Sequence, residues 1–322
     1  MSNGLIYGFI FDGKGGGKKI DLEEVRSWKS EQGILWLHFD YTSEEAQNWI
    51  LNYSGLDGVP AEALLTEETR PRTIIFDDAA LMALRGVNLN PDSDPEDMVS
   101  VRLWIDKYKI ISTRRRPLLS ISDIADSLKK KEGPKTTGDF IDDLTDWLIT
   151  RMEGTIEGIE DRLAQLEEDI IDSSNPGLRT TLLGVRRQAI MLRRYLAPQR
   201  EALTKLYSES LSWMRSDDKI RIREVTDRLI RYLEDLDSAR DRASVTQEEL
   251  ANRISEQMNS RMYVLSLVAA IFLPLGFLTG LLGINVGGIP GAENKWAFGI
   301  FLIMLVGIVV LQIYYFKKKK WL

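Results

Sequence analysis

The 322-residue chain has no cysteine and a single histidine, His38. Disulfides, thiolate catalysis, Cys/His zinc sites and any Ser–His or Cys–His pair beyond His38 are thereby excluded. Charge is also missing, but only from one end. From Met262 onward the charged residues are Glu293, Lys295 and Lys317 to Lys320, one acidic and five basic. Subtracting them from 48 acidic and 42 basic residues leaves 47 and 37 in residues 1–261, a net charge of −10. That acidic balance argues against nucleic acid as a partner, because phosphate contacts need a basic surface. Glycine and proline are absent from Asp218 until Pro274, so one helix can run through the whole interval and on into the apolar end, about 100 Å in all if it reaches Gly283.

The uncharged end contains two long apolar runs. Met262–Gly283 spans 22 residues, which as a helix reaches about 33 Å and crosses a hydrocarbon core. Trp296–Phe316 is the second run, and residues 284–295 between them hold Gly287, Gly288, Pro290 and Gly291, which turn the chain. The expectation is a transmembrane hairpin with a short periplasmic loop. Arg261 before the first span and the basic tail 317–322 after the second put both termini in the cytoplasm. Residues 1–20 show no signal peptide, so the large amino-terminal part is expected to stay inside. Ala269, Leu273, Gly276, Gly280 and Gly283 recur at spacings of three and four in the first span, where small residues let helices approach closely. Two spans enclose no aqueous path alone. The stripe therefore fits either packing against the second span or one share of an oligomeric pore, and Pro274 adds a kink.

Residues 1–135 read as a mixed α/β domain. Strands are expected at Leu5–Phe11, Gly33–Phe39, Leu81–Val87, Val99–Ile105 and Lys109–Thr113, with helices at Ser43–Leu51, Pro60–Thr66 and Leu118–Lys130. The glycine-rich Asp12–Lys19 lacks the spacing and closing hydroxyl of a phosphate loop and reads as a turn between strands. His38 has no second ligand with which to share a metal and reads as structural. Arg114, Arg115 and Arg116 at a strand end read as a solvated loop.

Residues 136–215 form a charge-segregated helical hairpin. Asp139 to Asp172 carries twelve acidic and two basic residues, whereas Leu178–Arg200 carries six arginines and no acid. The two helices are expected to pair antiparallel, with leftover acids facing solvent or, in copies around an axis, forming a negative funnel. In the stalk helix, residues 216–261, Ile222, Leu229, Leu236, Ala243 and Leu250 recur every seven residues, the seam of a coiled coil.

The stalk, the Gly283-Ile284-Asn285 end of the first span, the second span and the tail Tyr315–Leu322 together resemble the CorA divalent-cation transporter superfamily. Glu67–Arg72 (EETRPR), Arg193–Arg200 (RRYLAPQR) and Thr279–Gly291 (TGLLGINVGGIPG) resemble its zinc-transporting ZntB branch. The resemblance implies a homopentameric, funnel-shaped channel or transporter in a bacterial-type inner membrane, not an enzyme. It needs no cofactor beyond the transported ion: zinc first, with cadmium, nickel or cobalt possible, and uptake coupled to protons. It also implies that Gly283, Ile284 and Asn285 form the selectivity mouth, Asn285 meeting the metal through its hydration shell. Met262, Leu265, Leu273 and Gly276 would line the pore. Ile284 stands where the magnesium branch has methionine, which sets a Mg²⁺/Co²⁺ channel second. Glu293 in the loop would ring the entrance with carboxylates. A membrane-anchored coiled-coil scaffold is the reading from another class.

Overall fold

The computed structural model describes residues 4–67, 70–172, 177–283, 289, 291 and 294–319, and of residues 171 and 172 the backbone only. The chain forms two compact units, Met1–Glu248 and Glu249–Leu322.

In the first unit β1 (Leu5–Phe11), β2 (Gly17–Lys19), β3 (Leu35–Asp40), β4 (Arg72–Phe76), β5 (Ala79–Gly86), β6 (Val99–Ile105) and β7 (Lys109–Arg114) make one sheet of order β2-β1-β3-β7-β6-β5-β4, with the single turn of α1 (Leu22–Val25) between β2 and β3. The β3–β7 pair is parallel and the other pairs are antiparallel. A parallel neighbour requires a crossover, and residues between β3 and β7 supply it through α2 (Glu44–Asn52) and α3 (Gly58–Leu65). Those helices cover one face. Leu35, Leu37 and Phe39 of β3 pack there with Ala46, Ile50, Ala61 and Leu64. On the other face Trp36 meets Phe140 of α5 (Thr137–Thr150), ring centroids 5.2 Å apart. Because β3 is buried on both faces, its sequence reads as a near-continuous apolar run rather than an alternation.

The expected strands and helices of this domain are present, each within two residues of its expected ends. Strands β2 and β4 were not expected. β2 is three residues of polar edge, too short for periodicity to show. β4 had a usable signal, since Arg72–Phe76 leads into β5 through the two-residue turn Asp77-Asp78, with Asp77 at φ 50°. Asp12–Lys19 is the expected strand-joining turn. Asp12 Oδ1 accepts hydrogen bonds from the backbone N–H groups of Lys14 (2.7 Å) and Gly16 (2.9 Å), and Gly15 has φ 103° with Lys131 O where a side chain would sit. His38 is structural, as expected. It is fully buried with Nδ1 2.8 Å from Ser112 Oγ, and burial holds its pKa well below 6.5, so the ring is neutral.

The helical region departs from expectation in two ways. The acidic stretch is two helices, α5 and α6 (Glu153–Asp172), broken at Arg151-Met152, where Arg151 pairs with Asp123 of α4 (Leu119–Lys130). α6 does lie against the basic α7 (Gly177–Ser208), and both carry buried apolar seams, Ile156, Ile159, Leu163 and Leu166 on α6 and Leu182, Val185, Ala189 and Leu192 on α7. Their charges, however, are paired to a third helix, α8 (Ser216–Gly283). Asp146 of α5 takes Arg228, Glu167 takes Arg242 in a two-pronged contact, Arg193 of α7 takes Asp237, and Asp139 of α5 takes Arg215, the residue just before α8. The reason is geometric. Apolar seams fill the α6–α7 contact, so the charged flanks meet whatever packs beside it. The α8 seam is buried as expected: Ile222, Leu229, Leu236, Ala243 and Leu250 are each at most 1% exposed.

One surplus acid is not solvated. Asp142 is 4% exposed, and neither carboxylate oxygen has a hydrogen-bond partner among the described residues. It lines a cavity of ≈ 420 Å³ with Asp143, Asp146, Arg221, Glu224 and Arg228. Burial, and then the charge of Asp218, raise its pKa to about 8, and burial raises that of Asp143 to about 6. An unfolded Asp has lost its proton above about pH 4, whereas folded Asp142 keeps it up to about pH 8. The folded state therefore binds the extra proton, and stability falls as pH rises through that window. Asp142→Asn, which mimics the protonated form, should melt above the parent at pH 8.5, by roughly 2–4 °C per kcal/mol relieved, and with the parent at pH 4.5. Equal differences at both pH values in thermal melts would contradict this assignment.

Candidate functional site

The second unit is built from the end of α8 and from α9 (Ala297–Lys318), and both helices are long and apolar enough to cross a membrane. In hydrocarbon a backbone carbonyl without a donor costs several kcal/mol, about 4–8 by transfer to cyclohexane. Pro274 lies inside α8 and has no N–H, so the carbonyl four residues back, Ala270 O, loses its helical donor. Gln312 of α9 answers it: its Nε2 donates to Ala270 O at 3.4 Å, a long contact. Thr279 Oγ1 returns to the carbonyls of Leu275 and Gly276, which keeps a hydroxyl satisfied inside the span.

Around this bond the two helices have matching half-buried strips. On α8 they are Leu267, Ile271, Leu275 and Leu278, and on α9 Phe301, Leu305, Ile308 and Gln312, ending in buried Phe316. Spacings of three and four put each strip on a single helix face. The other face of α8 is bare. Met262, Leu265 and Leu273 are exposed, Leu273 to 71%. A Cβ built on Gly276, Gly280 or Gly283 meets no heavy atom within 4 Å. Of the stripe of small residues, only Ala269 is partly covered. Packing of that stripe against the second span, one of the two readings left open by the sequence, is therefore not what the glycines do.

Gly283 is the last residue of α8. Ile284, Asn285 and Glu293, the remaining residues expected at the mouth and loop, lie outside the described residues. Among the described residues no three His, Cys, Asp or Glu side chains are grouped to hold a metal, and the bare face carries no charged side chain among Met262, Leu265, Ser266, Leu273 and the glycines. Gln312 was missed from the sequence. It is the one carboxamide in Trp296–Phe316, and a polar side chain in such a run marks either a pathway or a packing contact.

A fold of this kind, α/β layers followed by a long helix and an apolar helix pair, can now be set beside known proteins. Residues 31–318 match the family model described as CorA-like Mg2+ transporter protein. The chain belongs to the CorA family. It is 40% identical over 323 residues to the divalent cation transporter CmaX of Pseudomonas aeruginosa, covering 99% of this chain and 97% of that one. It is 38% identical over 317 residues to the zinc transport protein ZntB of Yersinia enterocolitica, covering 98% and 96%. The solved structure of full-length CmaX superposes with a TM-score of 0.87 at 39% identity over 100% of this chain and 99% of that one. The protein is thus a CorA-family divalent-cation transporter, with the α/β domain, long helix and two apolar helices that its sequence resemblance implied.

For this CorA-family chain the Pro274–Ala270–Gln312 relation yields a double-mutant test. Gln312→Leu should lower stability in detergent by about 0.6–2 kcal/mol, the range for hydrogen bonds between membrane helices. Pro274→Ala restores an N–H to Ala270 O, so in that background Gln312→Leu should cost little. Additive losses in chemical unfolding curves would mean that Gln312 acts elsewhere.

Proposed function

We propose that this CorA-family chain conducts divalent cations, zinc foremost, through a pore made by five copies, each contributing the bare face of α8. The carrying observation is that face: Met262, Leu265, Leu273 and Gly276 have no partner on α9. Lipid would cover leucines equally well, but glycines exposed to lipid gain nothing, whereas at a helix–helix contact they allow close approach. Leu265 and Leu273 would then form apolar rings that close by expelling water.

Gly283, Ile284 and Asn285 follow that face at its outer end. Five Asn285 carboxamide oxygens would accept hydrogen bonds from the waters around a divalent ion without stripping them. Zinc is favoured by the ZntB relative and by Ile284 in place of methionine. The CmaX relative is named for divalent cations at large, and the cadmium, nickel and cobalt that the sequence resemblance implied stay in the set. No bond is made or broken, so the role is transport rather than catalysis. Arg261 and Lys317 to Lys320 support an inner-membrane orientation with both termini in the cytoplasm, and Glu293 would gather cations at the periplasmic entrance. Within the spans the titratable side chains are tyrosines alone, so proton coupling would have to act through the loop or the cytoplasmic acids.

The second reading, a Mg²⁺/Co²⁺ channel of the same build, is favoured by the family model's own description. Purified protein in liposomes loaded with a zinc dye separates the two. Zinc entry should exceed background, respond to an imposed pH step if protons are coupled, and resist a large excess of Mg²⁺. Asn285→Ala should reduce entry to the level of empty liposomes, while a membrane-anchored scaffold would show none in either form. Leu273→Asn should raise entry several-fold by wetting the constriction, and unchanged flux there would remove Leu273 from the pore.

A further inference from the structure

The backbone ladder of α8 is weak at several neighbouring points in its apolar part. Pro274 removes one helical donor. Gly276, Gly280 and Gly283 follow it, and glycine holds a helix less firmly than alanine. Between them Thr279 Oγ1 bonds back to Leu275 O at 2.9 Å and Gly276 O at 3.1 Å, a contact that bends helices. A proline break followed by such pliable turns is where a helix hinges. Leu273 directly precedes the break and is 71% exposed, so any movement at the hinge moves it.

Gln312 of α9 is placed at that hinge. Its Nε2 donates to Ala270 O at 3.4 Å, whereas its Oε1 is buried and has no hydrogen-bond partner among the described residues. A carboxamide with every group satisfied would rigidify the contact. One long bond and one orphaned oxygen tie the break to α9 without locking it. The difference between the bonded and released arrangements is therefore small, which is what an element that moves between two states requires.

We propose that Gln312 is a positioning residue for the constriction: its donation to Ala270 O holds the Pro274 hinge in the bend that keeps the Leu273 ring closed, and release of that bond lets the part of α8 beyond Pro274 swing and the ring widen. The proposal rests on the reading of α8 as the pore-lining helix. Gln312 itself stays on the α9 side of α8 and touches no ion. Its effect on passage runs through the hinge alone, and it depends on a donor group rather than on the volume of the side chain.

The test is uptake of radiolabelled zinc by liposomes holding the full-length protein, at pH 5.5 on both sides and with uptake scaled to the protein reconstituted. Gln312→Leu and Gln312→Met fill the position without a donor, and each should raise zinc entry about three- to tenfold, the factor that corresponds to one hydrogen bond between membrane helices. Gln312→Glu is neutral at that pH in an apolar site and keeps an O–H donor. It should conduct like the parent, a rescue that a packing role does not produce. In a Pro274→Ala background, where Ala270 O regains a helical donor, Gln312→Leu should change entry little. Parent protein that conducts while Gln312→Leu conducts equally or less would overturn the proposal and leave the pore reading standing. So would a glutamate variant that behaves like leucine, or a leucine effect of the same size in the Pro274→Ala background. Should Pro274→Ala abolish entry, the glutamate comparison decides alone. Parent protein that conducts no better than empty liposomes would overturn the pore reading and this proposal with it.

Discussion

Inside a bilayer a helix has to satisfy its own backbone, and Pro274 is the point at which α8 fails to do so. The second-unit geometry follows from how that failure is repaired. Ala270 O, deprived of its donor, receives one from Gln312 of α9, which assigns one face of α8 to the second span. Half-burial of Leu267, Ile271, Leu275 and Leu278 follows from the assignment, and so does the exposure of Leu265, Leu273 and the glycines on the opposite face. A proline that would weaken a soluble helix by ~3 kcal/mol here frees a carbonyl that Gln312 of the second span approaches.

In the first unit the organising element is the apolar seam of α8. Ile222, Val225, Leu229, Leu236 and Ala239 are buried, and the flanking arginines of the same helix lie beside acids of α5 and α6. This places Asp146 and Glu167 in ion pairs across the helix contacts, and Asp139 pairs with Arg215 just before α8. Such pairs add little stability singly. They do favour one register, since sliding α8 by one turn would separate Asp146 from Arg228, Glu167 from Arg242 and Arg193 from Asp237 together. Hydrophobic periodicity thus determines that the helices associate, and charge determines how.

Much of this was legible in the sequence because its signals were periodic. The 22-residue uncharged run, the heptad and the β3 run are one-dimensional patterns with one favourable folded solution. What escaped was relational. The charge segregation of residues 139–200 suggested an acid–base helix pair, but composition cannot tell which third helix lies beside both, and the arginines of α8 proved to be the partners. Gln312 looked incidental because its partner is a carbonyl freed by a proline 38 positions earlier. Arg115 and Arg116 do lie in the solvated bend expected of them, with Arg114 half-buried as the last residue of β7, but nothing local shows that Glu67 and Asp97 are their ion-pair partners. For the mouth residues Ile284 and Asn285, the motif and its resemblance remain the basis of their assignment.

The acidity of the cytoplasmic unit is weaker in effect than its formal charge. In residues 139–172 the twelve acids and two bases sum to −10. Asp139, Asp146 and Glu167 are paired with Arg215, Arg228 and Arg242, and Asp142, with a pKa of about 8, carries a proton at neutral pH. Several of the charges that a cation-attracting surface would use are therefore already engaged or absent. Long-range attraction of that kind also treats all divalent ions alike, because it acts on charge at distances near the ~8–10 Å screening length rather than on coordination chemistry. Discrimination between zinc and magnesium has to come from groups that touch the hydration shell, and a chain with no cysteine and one buried histidine has few to offer. Neutral carboxamides and backbone carbonyls remain, which bind water-clad ions weakly enough to let them pass.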